Sequence, residues 1–195
     1  MEHRNRLRVV VIIASTRTGR FGPTVAGWLV ERAGRHPDLE TDLVDLAEAD
    51  LPATLTDHDE EPPAAVRALA PRLAAADAFI VVTPEYNHGF PAPLKTAIDW
   101  YYEEWHAKPV AIVSYGRESG GRHAAAQLRQ VFGELHAVAI RDTVSLSRYW
   151  NDFTADGGWP KPAAECNTTV ETMLDQLAWW ARALSEARTA SPYQA

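Results

Sequence analysis

The most constraining feature of the sequence is a short apolar run that ends in a polar loop. Residues 9–13, VVVII, are all aliphatic and β-branched, residues 15–22 are mostly polar with two glycines, and Pro23 opens an amphipathic segment. A strand buried on both faces of a sheet is continuously apolar, and proline is favoured in the first turn of a helix. The order predicts a strand, a loop and a helix.

The loop of this unit is rich in groups that bind anions. Free amides at a helix N-terminus, hydroxyl groups and guanidinium groups all suit a phosphate. The side chains that could supply hydroxyl or guanidinium donors are Ser15, Thr16, Arg17, Thr18, Arg20 and Thr24. We interpret the loop as a phosphate-binding loop; the alternative is an ordinary polar loop of an α/β protein.

Two stricter phosphate motifs are absent from the sequence. No G-x-x-x-x-G-K-[ST] occurs, and no G-x-G-x-x-G follows the first strand, which argues against a nucleoside triphosphatase and a dinucleotide fingerprint. A cofactor with a single terminal phosphate remains, and FMN is a known ligand of doubly wound sheets.

Composition limits the other classes of function. The 195 residues are 46% hydrophobic and contain no linker-like segment, which predicts a single domain over residues 1–195. The net charge is −7 and no basic stripe occurs, which argues against nucleic acid or an anionic membrane as the main partner. One cysteine and the lack of an 18-residue apolar run predict a cytoplasmic protein. The seven histidines lack metal-ligand spacing, so we expect no metal site.

Strand and helix patterns alternate five times along the chain. Strands are predicted at residues 9–13, 41–45, 77–83, 110–114 and 138–146, and helices at residues 23–36, from Pro62 onward, after Pro93, around residues 124–135 and at residues 167–186, with a surface loop over residues 47–61. Right-handed crossovers turn this alternation into a three-layer αβα domain around one parallel sheet. The polar second strand belongs at an edge, which gives the order 2-1-3-4-5 and a crevice bordered by the loops after strands one, three and four.

The loops after strands three and four suit a planar ligand. The segment PEYNHGFP at residues 84–91 is stiffened by two prolines and offers Tyr86, His88 and Phe90 as flat surfaces. Neither Glu85 nor His88 has a visible partner in the sequence, so neither is assigned proton transfer and no catalytic residue is predicted. The segment from Ser114 to Gly121 is rich in glycine; it either faces the ligand or caps the next helix, and Arg117 is either solvated or binds a second phosphate.

Three segments together carry a resemblance to a known family. Ser15 and Arg17, the stretch TPEYNHGFPAPLKTAIDW at residues 83–100, and SYG with GG at residues 114–121 resemble the NADPH-dependent FMN reductase family over residues 9–146. The resemblance implies a flavodoxin-like fold and an activity among the flavin, quinone, chromate and azo-dye reductases. It also implies a set of cofactor-binding residues. Those for the FMN phosphate are Ser15, Arg17, Gly22, Pro23, Thr24 and Val25; those for the edge of the isoalloxazine ring are Pro84, Glu85, Tyr86 and Asn87, with Ser114, Tyr115 and Gly116 opposite.

The function expected on this basis is an FMN-dependent NAD(P)H oxidoreductase. NADPH or NADH would reduce the bound FMN, and a flavin, quinone, azo compound or chromate would reoxidise it in a ping-pong cycle. The alternatives are a flavodoxin-type electron carrier with protein partners and a non-redox binding module.

Two aromatic segments prompt further expectations. Trp100, Tyr101, Tyr102 and Trp105 are predicted on one helix beside the ring and, with the family resemblance, suggest a homodimer or a tetramer built from it. Residues 148–160, RYWNDFTADGGWP, are interpreted either as a lid over the flavin or as packing against the sheet edge. His88 stands where aromatic or small residues are frequent in the family, so its contact with substrate stays open.

Overall fold

The computed structural model describes residues 6–57, 59–148 and 163–194 as alternating strands and helices. The strands are β1 Leu7–Ile13, β2 Leu39–Asp45, β3 Ala78–Pro84, β4 Pro109–Gly116 and β5 Val138–Ser147. The helices are α1 Gly22–Ala33, α2 Leu46–Ala49, α3 Ala64–Ala74, α4 Ala92–Asp99, α5 Arg122–Glu134 and α6 Ala163–Ala190, with a 3₁₀ turn at Glu103–Trp105.

The five strands form one parallel sheet in the order β2-β1-β3-β4-β5, which confirms the predicted topology. Successive residues of a strand face opposite sides of the sheet. Val9, Val11 and Ile13 accordingly pack with α1 and α6, whereas Val10 and Ile12 pack with α3, α4 and α5. The central strands are therefore apolar throughout because both of their faces are buried.

Most predicted boundaries differ from the structure by one to three residues, and two differences are larger. The expected loop at residues 47–61 follows a short helix, α2, whose N-terminus is capped by the Asp45 carboxylate accepting from the amide of Ala47 at 3.0 Å. The final helix is longer than predicted and reaches Ala163 and Ala190. The large apolar residues of α6 begin at Val170, so a periodicity argument does not show that the helix starts at Ala163.

The aromatic segment after α4 lies elsewhere than predicted. Helix α4 ends at Asp99, so Tyr101 and Trp105 leave the helical stripe and enter the core. Trp105 is 1% exposed, and its ring packs at a tilt against Phe79 with centroids 4.6 Å apart, near the start of β3 and at the end of the sheet opposite the crevice. The prediction that this aromatic group lies beside the ring is wrong, and only Tyr102 of the four is strongly exposed.

Two further expectations from the sequence concern membrane spans and a lid over the flavin. Among the described residues, no helix combines the length and the apolar character needed to cross a bilayer. The proposed lid, with Trp150, Phe153 and Trp159, lies outside the described residues apart from Arg148.

Candidate functional site

The loops after β1, β3 and β4 line one cavity of about 560 Å³ at the carboxyl ends of the strands. Its walls are Arg17, Gly19, Arg20 and Phe21 from the first loop, Pro84, Glu85 and Tyr86 from the second, and Tyr115, Gly116 and Arg117 from the third. The volume lies within the range of pockets that bind small molecules and cofactors, about 300–1,000 Å³. The predicted convergence of the three loops is therefore present in the structure.

A buried hydroxyl pair joins the first loop to the second. Ser15 is 1% exposed, and its Oγ lies 2.7 Å from the phenolic oxygen of Tyr86. The amide of Arg17 also donates to Ser15 Oγ, at 3.4 Å. Ser15 therefore fixes the position of the ring of Tyr86 relative to the loop that carries Arg17.

In the first turn of α1, two of the backbone amides already have hydrogen-bond acceptors. The amides of Thr24 and Val25 both donate to the carbonyl of Phe21, at 3.1 and 3.3 Å. The side chain of Val25 is fully buried in the core, and a Cβ at Gly22 would lie 2.7 Å from Ile13. The cavity is not lined by the four predicted residues Gly22, Pro23, Thr24 and Val25, of which Pro23 is exposed. They instead hold the shape of the turn that places Phe21 in the cavity wall.

The cationic groups of the cavity have different partners. Arg20 forms an ion pair with Asp45 at the end of β2, so its charge is already balanced, contrary to its interpretation as a phosphate ligand. Arg17 and Arg117 also line the cavity and are exposed. The guanidinium groups best placed to meet an anion are therefore those of Arg17 and Arg117.

Glu85 ties the second loop to the start of α5. Its carboxylate is 8% exposed and accepts from Ser119 Oγ at 2.9 Å and from the amide of His123 at 3.0 Å, while His123 Nδ1 lies 3.0 Å from Oε1. Burial raises the pKa of the Glu85 carboxyl, but hydrogen bonds from His123, Ser119 and the amide of Ala124 outweigh burial and hold the pKa below its usual value. Both oxygens of Glu85 thus have donors, which sequence inspection did not reveal.

The third loop depends on two glycines with positive φ. Gly120 and Gly121 have φ of 61° and 85°, and a Cβ at Gly121 would lie 2.6 Å from the Cβ of Ser114. The buried hydroxyl of Ser114 donates to the carbonyl of Gly120 at 2.9 Å. The side chain of Ser114 therefore supports the loop from beneath, and it is Tyr115 and Gly116 that line the cavity.

A second cavity of about 630 Å³ adjoins the first and shares Arg17, Glu85, Tyr86 and Arg117 with it. Its further walls are Asn87, His88, Glu118, Ser119 and His123. The rings of His88 and His123 stack with centroids 4.1 Å apart and planes 8° from parallel. Sequence reasoning missed His123 as a residue of this cavity; its position at the start of the helix after the glycine-rich loop was the available signal.

The residues of the first cavity fit the chemistry of FMN. Arg17 offers a guanidinium and Tyr86 a phenolic hydroxyl, which the buried Ser15 orients from outside the lining residues. Phe21, Tyr86 and Tyr115 supply aromatic surface, with Phe21 and Tyr115 packed edge to face at 6.3 Å. A phosphate requires cationic and hydroxyl donors, and a flavin ring requires flat apolar walls. Both kinds of group lie around one cavity.

The sequence of this protein also matches a known family. The family model described as NADPH-dependent FMN reductase matches residues 7–151. The chain belongs to the NADPH-dependent FMN reductase family. This membership agrees with the resemblance carried by the residues of the three loops.

Relatives in sequence support this family assignment, and a solved structure has a similar fold. The chain is 39% identical over 136 residues to an NAD(P)H-dependent FMN reductase of Schizosaccharomyces pombe, covering 66% of each chain. It is 34% identical over 140 residues to a quinone reductase of Escherichia coli K12, covering 69% of this chain and 74% of that one. Its fold is similar to FerB, a flavoenzyme NAD(P)H:(acceptor) oxidoreductase of Paracoccus denitrificans, with a TM-score of 0.75, 24% identity and coverage of 88% and 97%.

Proposed function

We propose that the protein is an FMN-dependent NAD(P)H oxidoreductase that reduces small-molecule acceptors. The observation that carries the proposal is the convergence of three loops on one cavity with exposed arginines and aromatic walls. Membership of the NADPH-dependent FMN reductase family supports the same cofactor and the same electron donor. The acceptor classes are a free flavin, a quinone, an azo compound and chromate.

Each loop has its own part in binding the cofactor. Arg17, with the hydroxyl of Ser15 behind it, binds the FMN phosphate. Pro84, Glu85, Tyr86 and Asn87 approach one edge of the ring, and Tyr115 with Gly116 the opposite edge. When bound, FMN would supply the redox chemistry that connects a nicotinamide donor to an acceptor.

The protein positions the reactants and supplies no side-chain base. The carboxylate of Glu85 is committed to Ser119 and His123, so it orients the second loop. Backbone and side-chain donors fixed in this way stabilise charge on a ring without moving during the reaction. We infer a ping-pong order, in which the nicotinamide leaves before the acceptor binds at the same cavity.

Steady-state turnover tests the proposal. The purified chain with FMN, NADPH and menadione is expected to oxidise NADPH, with parallel lines in double-reciprocal plots at several menadione concentrations. The control omits the protein and keeps free FMN at the same concentration. Absence of NADPH oxidation above that control would contradict the proposal and favour the electron-carrier alternative, and intersecting lines would contradict the ping-pong order alone.

Two further parts of the proposal concern the oligomeric state, which rests on the family resemblance, and the location, which rests on the single cysteine and the lack of a long apolar run. We infer a homodimer, and sedimentation velocity at micromolar concentration tests it; a monomer at that concentration would contradict it. The cytoplasmic location is likewise a proposal, and fractionation of the producing cells tests it.

A further inference from the structure

We propose that Glu85, His88 and His123 form a binding site for a divalent transition-metal ion of the Zn²⁺ type. Each of the three side chains offers one ligand atom, and these atoms all lie within 4.8 Å of one another. The three residues line the cavity of about 630 Å³ that adjoins the first one. Neither the fold nor the proposed reductase activity requires this ion.

The distance between two of the ligand atoms matches a coordination shell. Glu85 Oε1 and His123 Nδ1 are 3.0 Å apart. In a tetrahedral site with bonds of about 2.0–2.1 Å, neighbouring ligand atoms are separated by about 3.3 Å. An ion can therefore replace the shared proton between these two atoms with a shift of a few tenths of an ångström.

The carboxylate is already oriented for such a role. Ser119 Oγ and the amide of His123 hold the two oxygens of Glu85, and the side chain is 8% exposed. Outer partners that orient a ligand in this way are typical of metal sites and raise the affinity of the ion. The remaining lone pair of Oε1 is the one that faces His123.

The loop after β3 places the third ligand by an unusual backbone conformation. Asn87 and His88 have φ of 51° and 66°, a region that side chains other than glycine rarely adopt. The amides of Tyr86 and Gly89 each donate to the carbonyl of the other, and Gln127 Nε2 donates to the carbonyl of His88 at 3.2 Å. These bonds hold the backbone that carries His88, whose imidazole lies parallel to that of His123 with centroids 4.1 Å apart. Because an imidazole binds an ion in the plane of its ring, one of the two exposed side chains turns about its side-chain bonds when both nitrogens face one ion. Strain retained in a rigid loop is a common mark of a functional position.

The ligand set defines the class of ion. Two imidazoles and one carboxylate suit Zn²⁺ and neighbouring divalent ions, whereas Mg²⁺ and Ca²⁺ prefer all-oxygen sites. Three protein ligands leave a fourth position open to water or to an oxygen of a small molecule. Since His88 and His123 are exposed, that open position faces the adjoining cavity and solvent.

The proposed ion would also connect two elements of the flavin site. His88 belongs to the loop after β3, and His123 belongs to the first turn of α5. An ion bound to both holds these elements together and stabilises the folded chain by mass action. Binding of Zn²⁺ should therefore raise the midpoint of thermal unfolding.

Competition with a chromophoric zinc chelator tests the site in the full chain as purified. The expected result is one Zn²⁺ bound per chain, with no binding of Mg²⁺ at millimolar concentration. The variants His88→Ala and His123→Ala are each expected to weaken Zn²⁺ binding by more than about tenfold, since even loss of an outer partner costs about 10–100-fold. Both substitutions replace exposed side chains, so both variants are expected to fold.

A matched control comes from another histidine and carboxylate pair. His36 Nε2 lies 3.1 Å from Asp175, and among the described residues no further ligand-type side chain completes a group there. His36→Ala and Cys166→Ser should leave Zn²⁺ binding unchanged. Absence of stoichiometric binding, or equal affinity in the wild type and in both variants of the site, would overturn the proposal.

Discussion

The hydroxyl groups of Ser15 and Tyr86 lie 2.7 Å apart and connect the end of β1 to the loop after β3. The two residues are 71 positions apart in sequence, and the bond brings the phosphate loop and the ring loop into a fixed relation. A cofactor that is held by its phosphate at one loop and by its ring at another depends on this relation. The bond therefore belongs to the binding site although it contacts no reacting atom.

Removal of this hydroxyl pair should weaken FMN binding modestly. Tyr86→Phe and Ser15→Ala each remove a net hydrogen bond of about 0.5–1.5 kcal/mol, which corresponds to a roughly two- to twelvefold loss of affinity. The double variant should lose no more than the larger single loss, because the two changes remove the same bond. Titration of FMN fluorescence measures all three affinities.

Tyr102→Phe is the matched control for Tyr86→Phe. Tyr102 is 53% exposed and lies in the segment after α4, at the far end of the sheet. The affinity of the Tyr102→Phe variant for FMN should equal that of the wild type. Fully additive losses in the double variant would contradict coupling through the bond.

Replacement of Glu85 should change the acid stability of the protein. The folded-state pKa of Glu85 lies below its usual 4.5, so the ionised carboxylate contributes stability that is present above that pH and is lost as pH falls through the lower folded-state value. Glu85→Gln should therefore lower the free energy of unfolding at pH 7, and the deficit should shrink below about pH 4.5. Urea titrations at several pH values, with a chelator present, measure the difference.

Glu118→Gln provides the comparison, because Glu118 is strongly exposed and pairs loosely with Arg148. Exposed ion pairs contribute about 0–1 kcal/mol, so this variant should show little change at any pH. A pH-independent deficit in Glu85→Gln would show that the carboxylate charge is not what stabilises the second loop.

The glycine-rich loop should be intolerant of a side chain at Gly121. Gly121→Ala places a methyl group 2.6 Å from the Cβ of Ser114 at a φ of 85°, which should cost about 1–3 kcal/mol or displace the loop. Gly27→Ala is the control, since Gly27 lies within α1 and nothing is within 4 Å of its added Cβ. That change should stabilise by up to about 1 kcal/mol. Thermal unfolding compares the two, and equal midpoints would contradict the account of this loop.

The sheet could be predicted because its information is local. The apolar runs of β1, β3 and β4 and the polar edge strand β2 define a parallel sheet and its order without any knowledge of distant contacts. The loops follow directly from the strand ends, so the residues of the cavity were largely predictable as well.

What escaped prediction depends on side-chain direction and on long-range contacts. Glu85 and His123 are 38 positions apart, and no spacing rule connects them. Trp105 was placed on a helical stripe, but α4 ends at Asp99 and the chain turns into the core. Arg20 is one of several donors that the sequence offers to a phosphate, and only the fold shows its ion pair with Asp45.

The central claim is that the first loop recognises a phosphate attached to a flavin ring. The most direct measurement compares the affinities of FMN and riboflavin for the wild type, Arg17→Ala and the exposed control Arg35→Ala. We predict that FMN binds far more tightly than riboflavin, and that Arg17→Ala weakens FMN about 10–100-fold while leaving riboflavin nearly unchanged, because a hydrogen bond to a charged group is worth about 1.5–3 kcal/mol. Equal affinities for FMN and riboflavin in the wild type, or an unchanged FMN affinity in Arg17→Ala, would contradict the claim.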